Sequence, residues 1–402
     1  QINVRSNYGK AVLLLEKRTF KELLVDMELR NLQNNIVGQE ASRLFARAEI
    51  NMGVEAFRDS LYSLLKRNTF LNIKFENMLD TLGEISRTDI RSLLGEWEKT
   101  TPLPFYSLGE PTLTKITNKG GEEFFVLKML ISNNSDYDGI IHMDIRKDGW
   151  WYQPLEDPRA KTKIEMPAHT SKEFVSVWED QIRNVEINTM VSGNLPNIIS
   201  QDINNVKQER NKIVKDSIYI LPESSFDLPG EIIVDNEDST LFILSAPPIV
   251  GLLPKWLDEV EETPFKYSGI SWWRPPLQWT ATTNDRYYGK YIRSAFVIKS
   301  GDGSQTATWK VPVPEVGQYD LYYHVFKDDE LRWNNNLQGE YHFKVKYGSE
   351  VEDAYVNLRK ANEGWEQLGS YYFDSDTVRV VLTDECKLRS VTADAVKIVK
   401  RY

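Results

Sequence analysis

Cysteine is almost absent from this chain of 402 residues, in which Cys386 is the only one. A single thiol excludes an internal disulfide and any cysteine-rich metal site, but it leaves the redox compartment open. Long apolar runs are missing too, because the most hydrophobic stretch, residues 241–257, is broken by three prolines and falls short of the roughly 18–20 apolar residues that cross a bilayer. The sequence therefore predicts no membrane span.

Positive charge is in the minority. The chain has 49 Lys and Arg against 59 Asp and Glu, which gives a net charge of −10 at pH 7 and an isoelectric point of about 5.2. This balance argues against a surface that follows the phosphates of a nucleic acid, so we expect no nucleic-acid partner. Hydrophobic residues make up 41% and charged residues 27%, as in folded globular proteins.

Histidine is scarce as well. None of the four histidines has another four residues away, so the H-E-x-x-H arrangement of a zinc hydrolase is absent; the four are His142, His169, His324 and His342. The chain also lacks a G-x-S-x-G nucleophile motif, a phosphate-binding loop and a dinucleotide fingerprint. Its carboxylates are too numerous for spacing to nominate a glycosidase pair. We therefore assign no catalytic residue, no metal ligand and no cofactor.

The turn at residues 134–139 has oxygen-bearing side chains at alternate positions, like the first half of a calcium loop. Position twelve of such a loop would be Ile145, where a bidentate glutamate is needed. We interpret the segment as a plain turn with Asx capping.

The periodicity of apolar residues changes along the chain. Residues 1–105 have apolar side chains every three or four positions and no proline before Pro102, which predicts helices. Residues 106–200 consist of short alternating runs separated by turn residues, typical of a small β-sandwich. The following segment is polar and charged, and we predict a linker over 201–229, with a short solvated helix over 205–214 as an alternative.

Residues 230–402 are again rich in strand-like runs, with glycine-containing turns between them. At roughly 150 residues per domain, the length of the chain favours two or three domains. The predicted fold class is multidomain α+β, with an N-terminal helical domain followed by two β-sandwich domains.

Tryptophan is concentrated towards the C-terminus, where seven of the 11 lie after residue 250. Trp272 and Trp273 precede Arg274 in a proline-rich loop, and adjacent residues of an extended chain point in opposite directions. Either one of these rings is exposed and stacks on a sugar or a peptide, or the loop folds back and buries both. Trp333 and Asn334, in a second predicted loop, complete the set of candidate ligand-binding residues.

Several C-terminal segments follow one another in a recognisable order. They are residues 231–236, 306–309, 317–322 and 365–373, and the closing Ala393-Asp394-Ala395-Val396. In this order they resemble the golvesin/xanthan-lyase carbohydrate-binding-like domain over about 230–402, with an insertion at 243–278. The resemblance implies a β-sandwich appended to secreted and surface proteins of bacteria, with a carbohydrate or cell-surface glycan as the partner.

The helical region carries a second likeness. Residues 52–58, 75–79 and 86–90, followed by Trp97 and by Leu103-Pro104, are similar to the last helices of the catalytic domain of thermolysin-like zinc aminopeptidases (gluzincins), in which a β-sandwich follows. In that family the zinc ligands and the catalytic glutamate lie further upstream. That family also has a tyrosine that stabilises the transition state. It has no counterpart near Gly38 in this chain, and Tyr8 matches it only if an insertion follows Tyr8. The likeness therefore implies a peptidase-like remnant over 1–105 without catalytic residues.

Three hypotheses of function follow. The first is the non-catalytic C-terminal region of a bacterial surface or secreted peptidase-like protein, which binds carbohydrate and is located outside the cytoplasm (secreted, periplasmic or cell-surface). The second is an enzyme, either a zinc metallopeptidase whose metal site lies upstream or a polysaccharide lyase-like protein. The third is a structural module that docks a partner through residues 249–256. Because Gln1 is not an initiator methionine, we expect a processed form or part of a longer chain. The oligomeric state stays open.

Overall fold

The structure is a computed structural model that describes all residues except 1, 70, 88, 94–98, 148–152, 211–213, 223–229, 246–264, 272, 328–338 and 402. It divides into two compact units: Asn7–Phe226, and Asp227–Tyr402 together with Gln1–Ser6. The fold class agrees with the prediction, with a helical N-terminal region followed by β-sandwiches. Each unit has its own hydrophobic core and is described separately.

The described helices all precede residue 94. Apolar side chains on their inner faces form two clusters, one around Leu15 and Ile36 and one around Leu64 and Leu82. Residue Thr19 begins the second helix with a capping box, in which its hydroxyl accepts from the Glu22 N–H and the Glu22 carboxylate accepts from the Thr19 N–H. The elements are α1 Ile2–Lys17, α2 Phe20–Val25, a 3₁₀ turn Met27–Leu29, α3 Gln33–Met52, α4 Val54–Arg67, α5 Phe75–Ser86 and α6 Ile90–Leu93.

Two sheets, in which most strand pairs are antiparallel, complete this first unit. Their strands are β1 Tyr106–Leu108, β2 Thr112–Thr117, β3 Glu123–Asn133, β4 Gly139–Lys147, β5 Gln153–Pro154, β6 Lys161–Met166, β7 Thr170–Trp178, β8 Ile182–Asn188, β9 Ile198–Asp202, β10 Val206–Arg210 and β11 Ser217–Pro222. One sheet has the order β10-β2-β3-β7-β11 with β1 beside β3, and the other has the order β5-β4-β8-β9 with β6 beside β4. Their inner faces bury Leu127 and Met129 of the first sheet against Ile141 and Val185 of the second. Helix α3 packs Ala46 against Ile140 in the same unit.

The structure corrects the prediction of a linker over 201–229. Strand β10 pairs in parallel with β2, and β11 pairs antiparallel with β7, so residues up to Pro222 belong to the sandwich and 205–214 is not helical where described. Both are edge strands, which need backbone hydrogen bonds but little apolar sequence. Polar composition therefore predicted solvent exposure correctly and secondary structure wrongly.

The second unit is a sandwich of a four-stranded and a five-stranded sheet with a small third sheet. Its strands are β12 Glu231–Val234, β13 Phe242–Leu244, β14 Thr280–Thr283, β15 Ser294–Lys299, β16 Thr306–Pro312, β17 Gly317–Val325, β18 Glu340–Tyr347, β19 Glu350–Asn357, β20 Gly364–Phe373, β21 Thr377–Thr383, β22 Ser390–Ala393 and β23 Val396–Lys400. The sheet orders are β12-β23-β17-β20, β13-β16-β21-β18-β19 and β14-β15-β22. The core contains fully buried Trp309, Tyr323 and Phe343.

The predicted insertion at 243–278 begins inside a strand. Ile243 and Leu244 of β13 pair with Thr308 and Ala307 of β16, so the first two residues of the insertion belong to the five-stranded sheet. Most of the remainder, residues 246–264 and Trp272, lies outside the described residues, and so does the apolar segment 249–256 of the docking hypothesis.

Candidate functional site

The outer face of the four-stranded sheet carries aromatic side chains in its central strand. Along β17, Tyr319, Leu321 and Tyr323 are buried in the core, whereas the residues between them are partly exposed. Because successive side chains of a strand point to opposite faces, Tyr322 and His324 lie on the outer face. This strand is therefore aromatic on both of its faces.

Cross-strand pairing brings further residues to this face. His324 lies opposite Trp365 of β20, and Tyr322 lies opposite Lys397 of β23. The Trp365 ring centroid is 5.1 Å from His324 and 5.1 Å from Tyr288, which follows β14. We call Tyr288, Tyr322, His324, Trp365 and Lys397 the aromatic face. All except Lys397 are partly exposed, so their rings are within reach of a ligand.

Lys397 is the buried cation of the aromatic face. Its ammonium Nζ lies 4.8 Å from the centroid of Trp365 and 5.3 Å from that of Tyr322. It also forms a salt bridge of 2.9 Å with Oε1 of Glu231. The lysine therefore holds two aromatic rings through cation–π contacts while its charge is neutralised by a neighbouring strand.

A buried carboxylate holds the histidine and the tyrosine in place. Asp394 is fully buried, and its Oδ2 lies 2.9 Å from Nδ1 of His324. Its two oxygens also accept from the backbone N–H of Tyr288, at 3.1 and 3.2 Å. In the neutral tautomer that donates Nδ1–H to Asp394, Nε2 of His324 is an acceptor. The aspartate of the closing Ala-Asp-Ala-Val segment thus pre-organises one side of the aromatic face.

Two carboxylates in this unit have raised pKa values. Burial raises the pKa of Asp394, an effect that the neighbouring His324 opposes. Burial and the charge of Asp394 together raise the pKa of Asp235 to about 9. Asp394 supports the aromatic face through His324 and Tyr288, whereas Asp235 follows β12 and senses the charge of Asp394; neither is an exposed acid.

Next to the aromatic face lies a row of hydrogen-bonding side chains. Asp320 accepts from Nε2 of Gln367 at 3.0 Å and from the Ser370 hydroxyl, and its Oδ2 lies 2.8 Å from Nε of Arg401. Arg401 and Ser370 hold the pKa of Asp320 below its usual range, so it is a carboxylate at neutral pH. We call Asp320, Gln367, Ser370 and Arg401 the polar row. It offers both donors and acceptors beside the rings.

The predicted site residues have different outcomes. Trp273 is 79% exposed, and the Arg389 guanidinium lies 4.9 Å from its ring centroid, so the alternative in which both loop tryptophans are buried is wrong. Arg274 is exposed and forms an isolated bridge with Ser271. Trp272, Trp333 and Asn334 lie outside the described residues. The described candidates are not part of the aromatic face.

Sequence reasoning missed the aromatic face. Its residues come from a loop and three strands, and no motif of fixed spacing links them. The available signal was the pattern Tyr319-Asp320-Leu321-Tyr322-Tyr323-His324, in which large residues occupy both faces of one strand. Which of the adjacent tyrosines faces outwards depends on the sheet packed behind them.

The geometry can be set beside known proteins. The family model described as Golvesin C-terminal domain matches residues 275–400, which include Tyr288, His324, Trp365 and Asp394. This segment is a golvesin-type domain. The match confirms the resemblance over these residues, about a third of the chain. Every residue of the aromatic face lies inside the golvesin-type domain, although Glu231, which neutralises Lys397, lies before it.

Solved structures give weaker similarities. A xanthan lyase from Paenibacillus is 16% identical, with a TM-score of 0.30 over 75% of this chain and 26% of the enzyme. A β-glucuronidase from Bacteroides uniformis is 11% identical, with a TM-score of 0.21 over 79% of this chain and 32% of the enzyme. This chain therefore spans about a quarter to a third of their lengths, and TM-scores this low establish no common overall fold. No curated protein matches.

Other features of the described residues are less suited to a ligand. A groove of about 470 Å³ in the first unit is lined by Lys147, Asp157, Arg159, Trp178 and Asp180, among others, and its cations already pair with its carboxylates. Within the described ranges, no three histidine, cysteine or carboxylate side chains are grouped as metal ligands. The described helices include none that is both long and apolar enough to cross a membrane.

Proposed function

We propose that the golvesin-type domain is a carbohydrate-binding module that holds a glycan on its aromatic face. The observation that carries the proposal is the grouping of Tyr288, Tyr322, His324 and Trp365 on an outer sheet face beside the polar row. Sugar rings have apolar C–H faces and a rim of hydroxyls, so they match aromatic rings flanked by donors and acceptors.

Each part of the site has a separate task in this proposal. Trp365 and Tyr322 provide flat apolar area, and Lys397 restricts their movement. Nε2 of His324 accepts from a sugar hydroxyl, because Asp394 holds Nδ1–H on the other side of the ring. The rigid arrangement lowers the entropy lost on binding, while the open face limits the area that a glycan can bury. We expect specific but modest affinity.

The test is glycan-array screening of the whole chain, followed by calorimetry with the best ligand. Trp365→Ala and Tyr322→Ala should each weaken binding about tenfold or more, which corresponds to roughly 1.4 kcal/mol. Tyr62→Ala is the matched control, because Tyr62 is 64% exposed and lies on α4 of the other unit. The variant Trp273→Ala tests whether the exposed tryptophan of the loop binds the glycan.

Two results would contradict the proposal. One is a chain that retains no glycan on the array. The other is a ligand whose binding survives Trp365→Ala and Tyr322→Ala but is lost with Trp273→Ala, which would assign the site to the loop.

We further propose that the first unit is the non-catalytic remnant of a secreted, periplasmic or surface-located peptidase-like protein of bacterial origin. Support comes from the likeness of residues 52–58, 75–79 and 86–90 to the last helices of gluzincins, and from the sandwich that follows them. Exposed apolar side chains on or beside these helices, at Tyr62, Leu65 and Leu71, resemble a face that once met further structure. Genome context decides between the alternatives: an H-E-x-x-H segment encoded upstream of Gln1 would instead favour an active peptidase.

A further inference from the structure

The outer face of the five-stranded sheet carries a row of cations. Lys310 of β16 lies directly opposite Arg379 of β21, and Arg379 lies directly opposite Lys346 of β18. Lys344, two residues from Lys346 along the same strand, points to the same face. Neighbouring strands are about 4.8 Å apart, so three positive charges cross three strands in a line. We call these four residues the cation row.

In the part of the chain that the structure describes, none of the four residues of the cation row forms a salt bridge, whereas Arg401 and Lys397 on the opposite sheet each have one. The nearest carboxylate in register is Asp353, opposite Lys344, and its Oδ1 lies 2.7 Å from Nε2 of His342. The anionic side chain best placed for the row is therefore engaged elsewhere.

This arrangement opposes the stability of the sheet. Like charges directly opposite each other on neighbouring strands are destabilising. The chain has ten more negative than positive charges, so carboxylates were available as partners for the cation row. Local violations of this kind concentrate at functional sites. An external anion would relieve the repulsion and would be bound more tightly for that reason.

We infer that the cation row binds an acidic polysaccharide, at a site separate from the aromatic face. A linear glycan with one carboxylate or sulfate on each sugar presents charges at an interval similar to the spacing of the strands. A single-stranded nucleic acid is the less suitable occupant, because the chain carries a net charge of −10 and the exposed Tyr355 of the same face is already stacked on His342, with ring centroids 4.8 Å apart. The inference goes beyond the proposed function and does not depend on it.

The test measures binding of the whole chain to polygalacturonate, dextran sulfate, neutral dextran and poly(dT) at low and high salt. The chain should bind at least one of the two acidic glycans, more tightly at low salt, and should not bind dextran. The triple variant Lys310→Gln, Lys346→Gln, Arg379→Gln should weaken that binding at least about tenfold. A preference for polygalacturonate or for dextran sulfate identifies the anionic group, and either preference supports the inference.

The matched control is Lys119→Gln, Lys161→Gln, Lys207→Gln, which removes the same charge from exposed positions of the other unit. It should retain most of the binding, and so should Trp365→Ala, which separates this site from the aromatic face. Thermal unfolding shows whether the triple variant is folded: losing the repulsion should leave its Tm unchanged or raise it. Three results would overturn the inference: no binding to either acidic glycan, equal losses in both triple variants, or tighter binding to poly(dT).

Discussion

At the scale of single residues, the buried carboxylate of Asp394 organises the golvesin-type domain. Asp394 joins the loop of Tyr288 to the histidine of β17, and its backbone carbonyl also accepts from Nε1 of Trp309 at 3.2 Å. One residue of the closing segment thus links the aromatic face to the core. This connection gives a physical reason why the segment helps to recognise the fold: Asp394 has a structural role, and it positions Tyr288 and His324 of the aromatic face.

Asp235 makes the stability of the second unit depend on pH. Its pKa rises from about 3.9 in an unfolded chain to about 9 when folded, so the folded state binds a proton that the unfolded state releases between these values. Its contribution is complete below pH 4 and is lost as the pH rises towards 9, with a slope of at most about 1.4 kcal/mol per pH unit. We expect Asp235→Asn, which resembles the protonated form, to flatten the decrease in Tm between pH 5 and pH 9. Asp374→Asn at an exposed position serves as the control; parallel Tm profiles for Asp235→Asn and the unaltered chain would exclude this role.

At the scale of the element, β17 assigns opposite tasks to adjacent tyrosines. Tyr323 is fully buried, and its hydroxyl donates to the Thr392 carbonyl at 2.5 Å. Tyr322 faces outwards, beside Lys397. The alternation of the strand therefore places a core residue and a residue of the proposed glycan site next to each other in the sequence.

This separation predicts different effects for neighbouring substitutions. Tyr323→Phe leaves the buried Thr392 carbonyl without its donor, so it should lower the free energy of unfolding by about 1–3 kcal/mol and leave glycan affinity unchanged. Tyr322→Ala should do the reverse, with a small loss of stability and about tenfold weaker binding. Urea denaturation and calorimetric titration of both variants test the pair, and exchanged phenotypes would contradict the alternation.

At the scale of the whole molecule, the chain has two units with separate cores. The larger core cluster of the first unit surrounds Leu127, and that of the second surrounds Trp309. Both side chains are completely buried. A defect introduced into either core should therefore be recognisable in the unfolding of its own unit.

Trp309→Phe removes a hydrogen bond and part of a buried ring, which should destabilise the second unit by about 2–3 kcal/mol. Leu127→Ala in the first unit should cost about 2–5 kcal/mol. Differential scanning calorimetry should resolve two transitions, with each variant lowering a different one by several degrees. A single transition that both variants lower equally would show that the chain unfolds as one cooperative body.

Composition and periodicity determined much of this protein. The helical spacing before Pro102, the alternating runs after it and the order of segments up to Ala393-Asp394-Ala395-Val396 were sufficient for the fold class and for the golvesin resemblance, because these signals are local and repeat along the chain. The edge strands β10 and β11 were hidden because their pairing depends on backbone groups, which every sequence has.

Only the tertiary structure decided which side chains form the two proposed binding sites. Tyr322, Trp365 and Lys397 are far apart in sequence and meet because β17, β20 and β23 belong to one sheet, and the cations at positions 310, 346 and 379 align only through the register of β16, β21 and β18. Local sequence specifies which residues a strand contains and how they alternate. Pairing between distant strands specifies which side chains share a face, and both candidate sites of this protein depend on that pairing.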